Sequence, residues 1–119
     1  MSIFSADAVG GVLASALDGI SARQNVIADN ISNVDTPNFR ASTVDFESSL
    51  RAAIADGSAG TTPLSLRTVP TDTPVGVNGN NVDLRKETMS AMQSTFQYQL
   101  VTRSVTDRLA DLRTAAESF

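Results

Sequence analysis

Residues 22–41 read ARQNVIADNISNVDTPNFRA, and the two halves of this stretch obey different rules. In the first half Ile27, Ile31 and Val34, with Val26 beside them, recur at helical spacing. The second half cannot continue that helix. Pro37 lacks a backbone donor and pushes Thr36 toward an extended conformation. Asp35, Thr36 and Asn38 favour turns in which the side chain bonds the nearby backbone. A long helix therefore ends near Val34, the chain turns, and it leaves extended toward Phe39.

Working toward the N-terminus, Val9, Leu13, Ala16, Leu17, Ile20, Ile27, Ile31 and Val34 make one apolar stripe. It is interrupted at Arg23 and Gln24, and it predicts a helix from about Ala6, with Met1 to Phe4 frayed. Gly10, Gly11 and Gly19 each weaken that helix by up to ~1 kcal/mol relative to Ala, and each lets another backbone approach closely. Toward the C-terminus, Val44 and Phe46 alternate with polar neighbours, as in a short strand. Phe46, Leu50 and Ile54 then suit one or two helical turns, ended by Gly57. Residues 59–81 carry Pro63, Pro70 and Pro74 among glycines. Leu64, Leu66 and Val69 could pair with Val75 and Val77 as a hairpin, or the stretch could be a polar loop.

The run Gly79-Asn80-Asn81-Val82-Asp83 marks a turn, with Asn81 or Asp83 placed to cap the helix that follows. Glu87 adds negative charge in its first turn, where the helix dipole favours it. From Asp83 onward there is no Gly or Pro. Leu84, Met89, Met92, Phe96 and Leu100 form one apolar stripe; Tyr98, Val101, Val105, Leu109, Leu112, Ala116 and Phe119 form a second. Paired helices cover only one such stripe, which leaves the other for a partner.

The expected fold is mainly α. Two long terminal helices, residues 1–35 and 83–119, pair as an antiparallel, coiled-coil-like hairpin around a short, irregular, β-containing middle, residues 36–82. The 119 residues make a single domain. Aromatic residues are 5% of the chain and Trp is absent, so the core must come from close helix packing by Ala, Val and a few Leu.

A net charge of −4 with a single lysine, Lys86, argues against nucleic acid, which needs clustered basic residues. No apolar run is long enough to insert in a membrane. The apolar stretch Val9–Ile20 is not a signal-peptide core, because no basic residue precedes it and Asp7 and Asp18 interrupt it. With no histidine or cysteine, and no base beside its serines or threonines, the chain offers no catalytic constellation, metal set or cofactor loop. The expectation is a protein that is not an enzyme and takes no cofactor.

The stretch Ala28–Phe39, ADNISNVDTPNF, with Asn25 just before it, resembles the N-terminal signature of the bacterial flagellar axial proteins, which form rod and hook. Ser32 stands where Ala is usual. Asn38 stands where Gly is usual, and Asn tolerates the left-handed backbone best among other residues. The signature residues are Asn25, Asn30, Asn33, Asp35, Thr36, Pro37, Asn38 and Phe39. The run Gly79–Leu84, followed by Glu87 and Gln97-Tyr98-Gln99, is similar to the proximal-rod branch of that family. The resemblance implies a structural subunit that assembles with itself and other rod proteins into a tubular drive shaft. It implies contacts with the basal-body ring, its rod adaptor and the flagellar type III export apparatus. It also implies a place in the basal body, in the periplasm or cell-wall space, reached without a cleaved signal peptide. The apolar residues expected at the assembly interface are Leu13, Leu17, Ile20, Ile27, Ile31, Met92, Phe96, Tyr98, Val101, Val105, Leu109, Leu112 and Phe119. Another axial subunit, or a soluble helical adaptor or export chaperone, is the alternative.

Overall fold

The computed structural model describes residues 2–118, with side chains from Val9 onward. The order of elements is α1 (Ser2–Ser32), β1 (Ser42–Asp45), α2 (Glu47–Asp56), β2 (Arg67–Pro70) and α3 (Leu84–Glu117). The molecule is mainly helical and measures 66 × 26 × 14 Å. α1 and α3 lie antiparallel: the end of α1 meets the start of α3 through Asn80 and Asn33, and Arg23 meets Gln97 further along.

Several boundaries differ from the sequence expectation. α1 runs from Ser2 rather than Ala6 and ends at Ser32, two residues before Val34. Asn33 ends it: its side-chain amide bonds Asp29 O at 2.8 Å, taking the carbonyl of the last turn. β2 pairs with β1, Ser42 opposite Pro70 and Asp45 opposite Arg67; it does not pair with Val75 and Val77, which stay exposed. Gly57, at φ 79°, closes α2 by donating to Ala53 O and Ile54 O. Asp83, not Asn81, caps α3, accepting from Arg85 N and Lys86 N at 3.1 and 3.2 Å.

The core is small. Ile20, Val44 and Phe46 are buried together, with Ala22, Val26, Leu50 and Val101 packed against them. The Phe46 ring lies directly on Gly19, where a Cβ would strike it. A Cβ on Gly11 would stand 2.8 Å from Gly60 Cα, so this glycine lets the loop after α2 rest on α1. Gly10 has no such neighbour within the chain.

The seam between the long helices corrects the two-stripe reading of α3. The first apolar stripe is not the seam, and of the second only Val101 and Val105 belong to it. The residues of α3 that turn toward α1 are Glu87, Ser90, Ser94, Gln97, Val101, Val105 and Arg108, all buried or half-buried. Leu84, Met89, Met92, Phe96 and Leu100 are exposed. Polar residues form this face of α3 near the junction, and apolar ones take over only at Val101.

Candidate assembly site

The two signature stretches lie far apart in sequence and are stitched together at one end of the molecule. Asn33 starts the turn: Thr36 N bonds Asn33 O at 3.1 Å, and the Thr36 hydroxyl bonds Asn33 Oδ1 at 3.0 Å. Asn38 then adopts φ 63°, the left-handed conformation expected of it. Its N–H donates to Asn78 O at 3.0 Å. Gly79, at φ 80°, presses against Asn38, and a side chain there would collide with it. Asn80 is buried, and its amide donates to Asn33 O and Thr36 O, each at 2.8 Å. Its Oδ1 accepts from Val82 N at 2.7 Å.

Asn81, also buried, repeats the device one residue on. Its Oδ1 takes Ala41 N at 2.6 Å, its amide reaches Thr73 O at 3.2 Å, and its own N–H bonds Phe39 O at 3.2 Å. Asn30 does the same for the strand, bonding Ser42 O at 2.7 Å and accepting from Ser42 N at 3.2 Å. Three buried amides thus satisfy backbone groups that have no ladder partner. Asn25, Asp35, Thr36 and Pro37 are exposed, Phe39 and Val82 half-buried; among the described residues no hydrogen bond ties the Asn25 side chain to the junction.

A second fastening went unread in the sequence. Arg23, which looked like a gap in the stripe, holds Glu47 through two bonds of 2.6 and 2.7 Å and Val44 O at 2.8 Å. Its guanidinium lies 4.7 Å from the centre of the Phe46 ring. It joins α1 to β1, α2 and, at 3.5 Å, Gln97 of α3. The Arg23 hydrogen bond, first of all, holds the Glu47 carboxyl below its usual 4.5. The available signal was a lone arginine on an apolar helix face with a glutamate opening the next helix.

The expected interface residues divide. Ile20 and Ile27 are buried within the chain, and Leu13, Leu17, Ile31, Val101 and Val105 are half-buried. Met92 is 69% exposed, Phe96 61%, Leu109 60% and Leu112 54%, with Tyr98 also exposed. Phe119 lies outside the described residues. Residues 88–102 of α3 contain no charged side chain at all, and no helix among the described residues is long and apolar enough to cross a membrane.

Paired terminal helices, a small β-containing insert and an asparagine-rich junction at one end make up the molecule. A family model described as "Flagella basal body rod protein" matches residues 12–40, which hold the first half of the junction. The flagellar basal body rod protein FlgB of Borreliella burgdorferi is 33% identical, over 72% of this chain and 78% of its own length. That of Bacillus subtilis is 34% identical over 86% of this chain and 88% of its own. That of Escherichia coli K12 is 28% identical over 81% and 83%. The chain belongs to the FlgB family of flagellar basal body rod proteins.

Proposed function

We propose that this chain is a structural subunit of the proximal rod, which assembles with copies of itself and with other rod proteins into the tube that carries motor torque. The observation that carries this reading is the bare, uncharged surface of α3 between residues 88 and 102. Exposed Met89, Met92, Phe96 and Leu100 have no cover within the chain. A contiguous apolar face of this kind marks a protein interface, and like subunits joined by contacts that do not close on themselves build a helical tube. The ring, its rod adaptor and the export apparatus are the further partners of this reading. The site is the basal body outside the cytoplasmic membrane, reached without a cleaved signal, and the role is structural rather than catalytic.

Fractionation tests it. A tagged, functional copy should co-purify with intact basal bodies, in register with the rod. A chain that remained in the cytosol while cells swam normally would be an adaptor or chaperone, and the proposal would fall.

A further inference from the structure

The chain has no cysteine and no tryptophan, so its methionine thioethers are the groups on which a mild two-electron oxidant acts. Among the described residues the sulfur belongs to Met89 and Met92, three positions apart on the bare face of α3. Both are open to solvent, at 58% and 69% exposure. Neither packs on the core around Ile20, Val44 and Phe46. Met92 shares an open groove with Ala91, Thr95 and Phe96, and exposed Leu84 and Leu100 extend the face to either side. Methionine suits such a surface, being flexible and apolar, but it is also the one apolar side chain there that peroxide makes polar.

We propose that Met89 and Met92 form a modification site at which hydrogen peroxide, by oxidising the two thioethers, keeps a free subunit out of the rod. This rests on the rod reading, which gives the same face to neighbouring subunits. At each sulfur a lone pair attacks one oxygen of the peroxide. The O–O bond breaks, an S–O bond forms, and the other oxygen leaves as water. The sulfur gives up two electrons and the peroxide gains them. The product, methionine sulfoxide, is polar and chiral, and reductases specific for each epimer reverse it.

The two states of the protein respond differently. In the free chain both sulfurs already face water, so an added oxygen stays solvated and the fold is untouched. Set against the apolar surface of another subunit, the S–O group must give up its water, and a buried polar group without a partner is costly. Residues 88–102 carry no charge, so this dipole is a large change to the character of the face. A subunit already assembled has its sulfurs covered and is spared, because oxidation follows exposure.

The test uses the full, unaltered chain. Purified monomer and purified basal bodies are exposed to the same hydrogen peroxide, and Met89 and Met92 are followed by peptide mass spectrometry. Both should gain oxygen at least about tenfold faster in the monomer. The oxidised monomer should keep the helical circular dichroism and thermal midpoint of the untreated one. For the consequence, cells lacking the sulfoxide reductases receive a pulse of isotope-labelled amino acids and then peroxide, which catalase removes before a chase in which assembly proceeds. Labelled chains in basal bodies should carry at least about tenfold less sulfoxide at both positions than labelled chains left outside. Equal sulfoxide fractions inside and outside, equal oxidation rates in monomer and basal body, or unfolding of the oxidised monomer would each overturn the proposal. Absence of the labelled chain from basal bodies of untreated cells would instead defeat the rod reading.

Discussion

At the scale of single residues, the junction depends on two left-handed positions and three buried amides. Asn38→Gly keeps φ 63° at little cost, whereas Asn38→Val sets a β-branched residue in a conformation it resists. Chemical denaturation of the purified chain should show Asn38→Gly near wild type and Asn38→Val lower by about 1–3 kcal/mol. Gly79→Ala should be at least as harmful, since it adds a collision with Asn38 to the backbone strain. Asn80→Ala removes one side chain that serves three backbone groups, Asn33 O, Thr36 O and Val82 N. Asn33 O and Thr36 O keep backbone donors, Thr36 N and Phe39 N, but Val82 N loses its acceptor. A buried group left unsatisfied costs about 1–3 kcal/mol, so this variant should unfold at lower denaturant than Asn25→Ala, whose exposed side chain makes no hydrogen bond to the junction among the described residues.

At the scale of elements, Arg23 ties α2 and the hairpin to α1 through a carboxylate that can be switched off. Glu47 has a folded-state pKa below 4.5. Its contribution is therefore present above that value and is lost as the pH falls through the lowered one. Denaturation midpoints followed from about pH 5 downward should show this loss, and Arg23→Gln should remove that part of the pH dependence. α3 gives the complementary case. Leu109→Asp and Leu112→Asp place charge on faces that are bare in the single chain, so the purified protein should keep its stability within about 0.5 kcal/mol. Basal bodies should nevertheless lose the subunit, because an unpaired carboxylate in an interface costs several kcal/mol. Asp111→Lys, on an exposed polar position, should be milder in a motility assay.

The helices were legible from their periodicity, their glycine and proline stops and the Asp83 cap. The positive φ at Asn38 agrees with the resemblance, which has glycine at that position, and with asparagine's tolerance of the left-handed backbone. What could not be read was partnership across the chain. Apolar spacing made Met92 and Phe96 look equivalent to Val101, yet only Val101 packs on the core. The seam instead uses Glu87, Ser94 and Gln97, polar residues invisible to a count of apolar ones. Asn80 and Asn81 read as turn formers because the carbonyls that Asn80 donates to, and the Ala41 N–H that Asn81 accepts from, lie 40 or more residues away.

At the scale of the whole molecule, fastening is concentrated at the junction end and thins along the 66 Å length. Beyond Val105 only Arg108 among the described residues of α3 is even half-buried. Hydrogen exchange on the free monomer should therefore be slowest around residues 20–46 and 80–101 and fastest toward both termini, with protection spreading into the terminal halves on assembly. Uniformly strong protection in a proven monomer would contradict assembly-coupled ordering. The junction also bears on how such a part ages. Asn78-Gly79 is the kind of pair that loses its side-chain amide when the glycine nitrogen attacks the asparagine carbonyl. Here that nitrogen donates its hydrogen to Gly76 O at 3.0 Å, and Asn78 Oδ1 accepts from Asn80 N at 3.2 Å. Both reacting groups are held in the turn, so the folded chain is shielded from this damage at the place where its two helices are joined, and an unfolded chain is not.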